Sequence, residues 1–482
     1  MKNILLLLIC CFYTSVTNAQ ADCNCSQNFK VLQQKVRTNY AGYDYRITDN
    51  NRKAFELLTD SVTKAAAILT DGYDCYTLMK RWVAFFKDGH IFLTTTFPAK
   101  NMPTGAPQMT TLDSTAFYQY LDKNKGKLAA AEGVWRTDDG NYTVAVKRNE
   151  TLANAYQATI LKAKSEKWKV GLEKFSLKKD GDKWKATYYM GDFTPTNIKA
   201  TINENILIFT QFGTWEKVYP EPKIKLDAQQ IAMDQIAYFK MIDDKTAYLR
   251  FSTFNQGSDV IDSVINKNKT QILSTPRLII DIRDNGGGSN SNYKNILPFM
   301  YTQPYTVDNG DGGYVLATED IIAAERKIYE QAWNSLSGES KKEYATEYGE
   351  WKSTIDSMDK VKGTRYYYPS TPITKMDSVT SNPKQVAVLI NKGCASTAEW
   401  FIMEAEYSKK VTLFGQNSAG VMDNTNVRQH ALACPSYTIF AASGRRGGAS
   451  TRPMDNVGFK PHVFIPETEE DWVKVVLNYW KK

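Results

Sequence analysis

The sequence predicts an α/β protein of several domains (α+β in overall make-up) on three observations. Helically spaced apolar residues dominate positions 26–92, alternating ones dominate about 130–222, and strands alternate with helices from about 223 onward. The 482 residues are 42% hydrophobic and 23% charged, which excludes collagen-like, coiled-coil and wholly disordered chains. Such a length divides into roughly two to four domains.

Residues 1–21 read as a secretory signal peptide. Lys2 gives a positive start, Ile4 to Phe12 is apolar, and small or polar residues run to Ala19 and Ala21, after either of which cleavage is expected. The apolar run is too short to span a bilayer, and no later stretch is long enough. Removing the leader takes Cys10 and Cys11 with it and leaves Cys23, Cys25, Cys75, Cys394 and Cys434. The odd number predicts a free or intermolecular thiol, and Cys23 or Cys25 bridged to Cys75 would pin the new N-terminus. The expected location is periplasmic or extracellular.

A helical domain carrying His90 is expected over 22–100. Phe29, Leu32 and Val36 recur at helical spacing, as do Leu58, Val62, Ala65 and Leu69, then Leu78, Trp82, Phe85 and Phe86. Pro98, Pro103 and Pro107 introduce an irregular linker, taken as 101–127. An antiparallel β domain, barrel or sandwich, follows over 128–222. Its strands alternate at Tyr142–Val146 and Trp168–Leu172, with turns at Asp180-Gly181-Asp182 and Asn203-Glu204-Asn205. The α/β domain spans 223–482, with strands at Ala247–Phe251, Arg277–Ile282 and Gln385–Ile390. Helices are expected from Val260 to Leu273, from Thr397 to Lys409, and from a Thr468/Asp471 capping pattern to Trp480.

The formal charge of +8 is dispersed and gives no nucleic-acid footprint. Three histidines, His90, His430 and His462, offer little for a metal site. Asp308-Asn309-Gly310-Asp311 lacks the spacing of a calcium loop and reads as a hairpin or cover loop.

Chemistry concentrates in three places. The buried strand Val386–Ile390 delivers a small-residue turn and places Ser396 where a helix begins. There a hydroxyl is open, and the helix N-terminus favours developing negative charge. A plain helix cap is the competing role. After strand Leu278–Ile282 comes Gly286-Gly287-Gly288, whose backbone can approach a ligand closely, as an oxyanion hole requires. Asp88-Gly89-His90, at the end of an aromatic helix, reads either as a plain helix terminus or as an imidazole base for a serine nucleophile.

These residues resemble the tail-specific, or C-terminal-processing, serine proteases, closest to the histidine-using branch of tricorn protease and interphotoreceptor retinoid-binding protein. The resemblance covers Asp88–His90 and most of 236–482. It implies a crotonase-like, ClpP-like α/β protease core. It further implies Ser396 as nucleophile, His90 as base, and the amides of Gly287 and Thr397 as oxyanion hole. Asp455, before Gly458-Phe459-Lys460-Pro461, matches the acid, with Asp88 as its rival. Where the lysine-using branch carries its base, this chain has Val421. The resemblance implies no metal or organic cofactor and a peptide or protein substrate. The expected function is an exported serine endopeptidase that loses activity below roughly pH 6–7, where an ordinary imidazole protonates. The alternatives are a non-catalytic peptide or hydrophobic-ligand binding protein on the same scaffold, and a β domain that itself binds a glycan or peptide.

Overall fold

The computed structural model describes residues 23–481 apart from 98–106, 182, 192, 210–211, 223, 225, 227–235, 256–257, 308–311 and 369–372. The leader and the 308–311 loop therefore lie outside the described residues.

The chain opens with helices α1 (Cys25–Asn39), α2 (Tyr43–Arg46), α3 (Asp49–Ala66) and α4 (Gly72–Val83). Asn24 and Asp71 cap α1 and α4 by accepting from the Gln27 and Asp74 amides. Phe29, Leu32 and Val36 face inward with Phe55, Trp82 and Phe86. That core also contains Tyr437, Ile439 and Ala441 from the far end of the chain. Strand β1 (Ile91–Thr95) starts directly after His90 and pairs antiparallel with residues 437–441. Two disulfides reinforce the junction: Cys25–Cys75 and Cys23–Cys434. Cys394 is free and buried.

The segment expected as an irregular linker contains helix α5 (Ser114–Lys123), capped by Asp113. Its Phe117 and Leu121 pack on Val134 and Ala145. Only two apolar positions anchor this ten-residue helix, so its periodicity is faint in the sequence.

A closed eight-stranded barrel follows: β2 (Gly133–Thr137), β3 (Tyr142–Arg148), β4 (Ala155–Ala163), β5 (Glu173–Asp180), β6 (Lys183–Tyr189), β7 (Pro195–Asn203), β8 (Ile206–Phe209) and β9 (Gly213–Tyr219). Each strand pairs with the next, and β9 returns to β2, so the barrel has no open edge. Gly181 at φ +59° makes the β5–β6 turn and Glu204 at φ +47° the β7–β8 turn. The expected strand at 168–172 is a turn, ending in one isolated bridge from Leu172 to Met109.

Lys174 is buried with the barrel aromatics at 2% exposure. Its ammonium sits 4.0 Å from the Trp168 ring centroid, close to the Tyr142 and Tyr188 rings, and donates to the Tyr189 carbonyl at 2.7 Å. The rings and carbonyl favour the charged form, but burial wins and pushes the amine down to about 7. Unfolded, the amine titrates at its ordinary value near 10.4, so between the two values the unfolded chain holds a proton the folded one lacks. Barrel stability is therefore expected to rise with pH from about 7 to about 10. Denaturant melts at both ends of that window should show the rise in the wild type and lose it in Lys174→Met.

The α/β region builds a six-stranded sheet in the order β10-β11-β12-β15-β16-β19. These are β10 (Ala237–Asp243), β11 (Thr246–Phe251), β12 (Arg277–Asp281), β15 (Gln385–Ile390), β16 (Val411–Gly415) and β19 (Val463–Phe464). β10 is antiparallel to β11, and the other pairings are parallel. β15 is an almost unbroken apolar run because it is covered on both faces. Helix α6 (Ser258–Ser274) precedes β12, and α10 (Thr397–Glu406) follows β15. The last helix, α11 (Trp472–Tyr479), starts later than the capping pattern suggests, because Asp471 is itself the cap and accepts from the Lys474 amide.

The polar stretch between β12 and β15 forms β13 (Tyr314–Leu316), α7 (Glu319–Ser335), α8 (Gly338–Glu343), α9 (Ala345–Lys360) and β14 (Arg365–Tyr367). With β1, β17 (Asn424–Ala431) and β18 (Tyr437–Arg445), strands β13 and β14 make a second sheet centred on β18. This sheet ties the His90 segment to the domain that carries Ser396.

Candidate active site

Ser396 stands at the turn from β15 into α10 with φ +55° and ψ −120°. A non-glycine residue held there costs about 1–3 kcal/mol, which the surroundings must offset. Its amide donates to the Val421 carbonyl at 3.0 Å, and its own carbonyl accepts from the Glu399 and Trp400 amides. Ser396 occupies the cap position, but its hydroxyl makes no capping bond. The competing role as a side-chain cap is therefore not realised.

The glycine turn lies against this elbow. A Cβ on Gly287 (φ +99°) would meet the Ala395 carbonyl at 2.7 Å, the Thr397 amide at 2.8 Å and the Ser396 Cβ at 2.9 Å. A Cβ on Gly288 would strike the Phe254 backbone at 2.0 Å. Only glycine lets the two turns meet. The Gly287 amide, expected to point into an oxyanion hole, donates instead to Asn285 Oδ1 at 3.0 Å, whereas the Thr397 and Gly288 amides have no acceptor among the described residues. Thr397 fixes the arrangement further, its hydroxyl donating to the Gly288 carbonyl at 2.7 Å.

Buried polar groups outside the sequence expectation hold these turns. Asn391 and Asp284 exchange two hydrogen bonds of 2.8 Å, and the Ala395 amide donates to the Asn285 carbonyl. Asp281, fully buried, accepts from Tyr248 and from the Arg283 guanidinium. Burial alone would raise this carboxyl, but Arg250 and Arg283 outweigh it and hold it below the usual range. Glu399 lies one turn beyond Ser396 and is fully buried. It accepts from the Ser418 hydroxyl and the Gly420 and Val421 amides at 2.5 to 2.8 Å, which clamps the loop that receives the Ser396 amide. Burial pushes its carboxyl up despite these donors. Glu399 sits inside the sequence signature, and a charged residue one turn into an apolar helix was the available signal. Cys394 is excluded as a nucleophile, because burial pushes its thiol up to about 12.

Val421 links the two halves of the site. Its carbonyl holds the Ser396 amide, and its side chain packs on Gly89, where an added Cβ would lie 3.0 Å away. Asp88 accepts from the His90 amide at 2.7 Å, from Tyr40 at 2.5 Å and from Asn424 at 2.8 Å. Asn456 donates to the Lys87 carbonyl. The His90 carbonyl accepts from Ala442, and its Nδ1 is buried with no hydrogen-bond partner among the described residues.

Asp455 reaches the same junction. One oxygen accepts from the Met422 and Asp423 amides at 2.8 Å each, and the other takes Arg46 at 2.5 Å and Asn424 at 3.4 Å. Burial and the charge of Asp88 raise its carboxyl. Ser396, Thr397, Gly287, the Gly89–His90 turn, Asp88 and Asp455 thus gather around Val421 and Asn424, but neither acid bonds the His90 ring. Asn424, which bonds both acids, and Arg46, which pairs with Asp455, carry no local motif that marks them. Of the other histidines, His462 accepts from the Leu413 amide at 2.9 Å, a structural role. His430 is buried in β17, and burial lowers its ring. Among the described residues no cluster of His, Cys, Asp or Glu could hold a metal ion, and no helix is long and apolar enough to cross a membrane.

The core is that of a serine-type peptidase. Residues 245–463 match the model of peptidase family S41. Among solved structures it is similar to mature CPAF, at 13% identity and a TM-score of 0.50, over 95% of this chain and 96% of that one. Mature CPAF complexed with lactacystin matches equally, over 95% and 97%. The photosystem II D1 C-terminal processing protease is also similar, at 13% identity and a TM-score of 0.38 over 94% and 96%. At such identities the likeness concerns the fold alone. No curated protein matches the sequence.

Proposed function

We propose that this chain is an exported endopeptidase using Ser396 and His90. The observation that carries the reading is the strained, uncapped Ser396 beside the unengaged Thr397 amide. Ser396 Oγ attacks the scissile carbonyl carbon while His90 takes its proton. The tetrahedral oxyanion is met by the Thr397 amide and the Gly287–Gly288 turn, whose Gly288 amide is also unengaged. The C–N bond then breaks, His90 protonates the leaving amine, and water hydrolyses the acyl-enzyme by the same steps in reverse. Asp455 is the acid assigned to meet the imidazolium once substrate binds, although it bonds Arg46 and the Met422 and Asp423 amides in the free protein, and Asp88 fixes the turn that presents the ring. Apo hydrogen bonds of this kind commonly tighten only with substrate. Export is supported by the two disulfides, which persist in oxidising compartments.

A fluorophosphonate probe tests the reading. Labelling of the wild type that vanishes in Ser396→Ala is expected, and folded wild type that never labels would favour the binding-protein alternative. The acids separate by kinetics. Asp455→Asn is expected to cut kcat by about 10³–10⁴ with KM little changed. Asp88→Asn leaves the ring's partner in place and should cost far less. The reverse ranking would assign Asp88 as the acid.

A further inference from the structure

The barrel has no part in the chemistry above, yet its outer face is built in an unusual way. Lys178, Lys185 and Lys199 stand directly opposite one another on β5, β6 and β7. All three are exposed, and among the described residues only Lys185 has a carboxylate partner, Asp180 at 2.9 Å. Adjacent strands lie about 4.8 Å apart, and like charges directly opposite destabilise a sheet. One pleat further along the same face, Ser176, Thr187 and Asn197 form a second row in register. Thr187 donates to Asn197 Oδ1 at 3.0 Å, and the exposed Asn197 side chain has no acceptor for its N–H groups among the described residues. The two rows line a groove of about 770 Å³. Its one interior carboxyl, Glu173, is buried, held by Gln157 at 3.0 Å, and raised by burial. The groove thus pairs a line of cations with small hydroxyl and amide donors, and its one lining aromatic, Tyr156, is buried in the barrel core and offers no open ring face on which a sugar would stack.

We propose that this face binds an extended acidic segment of a polypeptide, which docks the substrate on the barrel while another stretch enters the Ser396 site. Carboxylates spaced along such a segment would meet the lysines, and its backbone carbonyls would meet the Asn197 amide and the two hydroxyls. The choice of a polypeptide rests on the peptidase reading; the binding itself is measured without catalysis.

The test is fluorescence anisotropy of the full chain carrying Ser396→Ala, with a fluorescein-labelled oligoglutamate peptide and its oligoglutamine counterpart. The glutamate peptide is expected to bind, more weakly as salt rises, and the glutamine peptide not to bind. Adding Lys178→Glu and Lys199→Glu, both at exposed positions, should weaken binding at least about tenfold without lowering the melting transition, since each change sets an opposite charge across from Lys185. Absence of binding, or binding untouched by the lysine variants, overturns the proposal. So does polygalacturonate displacing the peptide at far lower concentration, which would assign the face to an acidic glycan. Wild-type protein that binds the peptide but never labels with fluorophosphonate would defeat the catalytic reading and leave this site standing.

Discussion

Ser396→Ala is expected to lower kcat on any cleaved peptide by at least about 10⁴, with KM nearly unchanged. The hydroxyl takes no part in holding the elbow, since it makes no capping bond. The backbone bonds from Ser396 to Val421, Glu399 and Trp400 do not involve the side chain, so the variant keeps its fold. His90→Ala should fall to a similar level, and the double variant should lose little more, because nucleophile and base act as one unit. Single-turnover assays of all three variants check this. An His90→Ala enzyme with near-normal kcat would show that another group takes the proton. Val421 cannot, as it has no titratable atom.

The largest stability effect is expected at Arg446. Its guanidinium is fully buried and meets Asp423 at 2.7 Å, the Arg452 carbonyl at 2.6 Å and the Gly447 carbonyl at 3.1 Å. Asp423 in turn accepts from the Met454 and Asp455 amides. Arg446→Met leaves the Asp423 charge buried without its partner and is expected to cost about 3–5 kcal/mol. Urea melts measure that loss. The same substitution loosens the segment that carries Asp455, so kcat should drop as well. The double change Arg446→Met, Asp423→Leu removes both charges and should recover part of the stability but not the kcat. Equal stabilities for the single and double variants would refute the role of the pair.

Much of this molecule is legible in its sequence, and the reasons differ by element. β12 and β15 are buried on both faces and so read as continuous apolar runs. Ser396 and the glycine turn are local features, visible because strand, turn and helix follow one another directly. α5 and the 168–172 turn were misread because each offers too few residues for a period to show. The acid side of the site resists sequence reading for another reason. Arg46, Asp88, Asn424 and Asp455 come from distant stretches and meet only through the sheet centred on β18. Likewise the partner of Cys75 was narrowed to two candidates, and Cys25 takes it, because α1 lies on α4 and turns that residue inward.

The Cys23–Cys434 bridge closes a covalent ring, with a sequence separation of 411 residues, that contains both His90 and Ser396. A single cut anywhere within that ring opens it without dividing it. A molecule nicked within the ring therefore keeps His90 and Ser396 on one covalent body, and only reduction followed by unfolding parts them. Nicked material would run as one species without reductant and as two with it. The bridge thus turns a first cleavage from a loss of the enzyme into a tolerated scar.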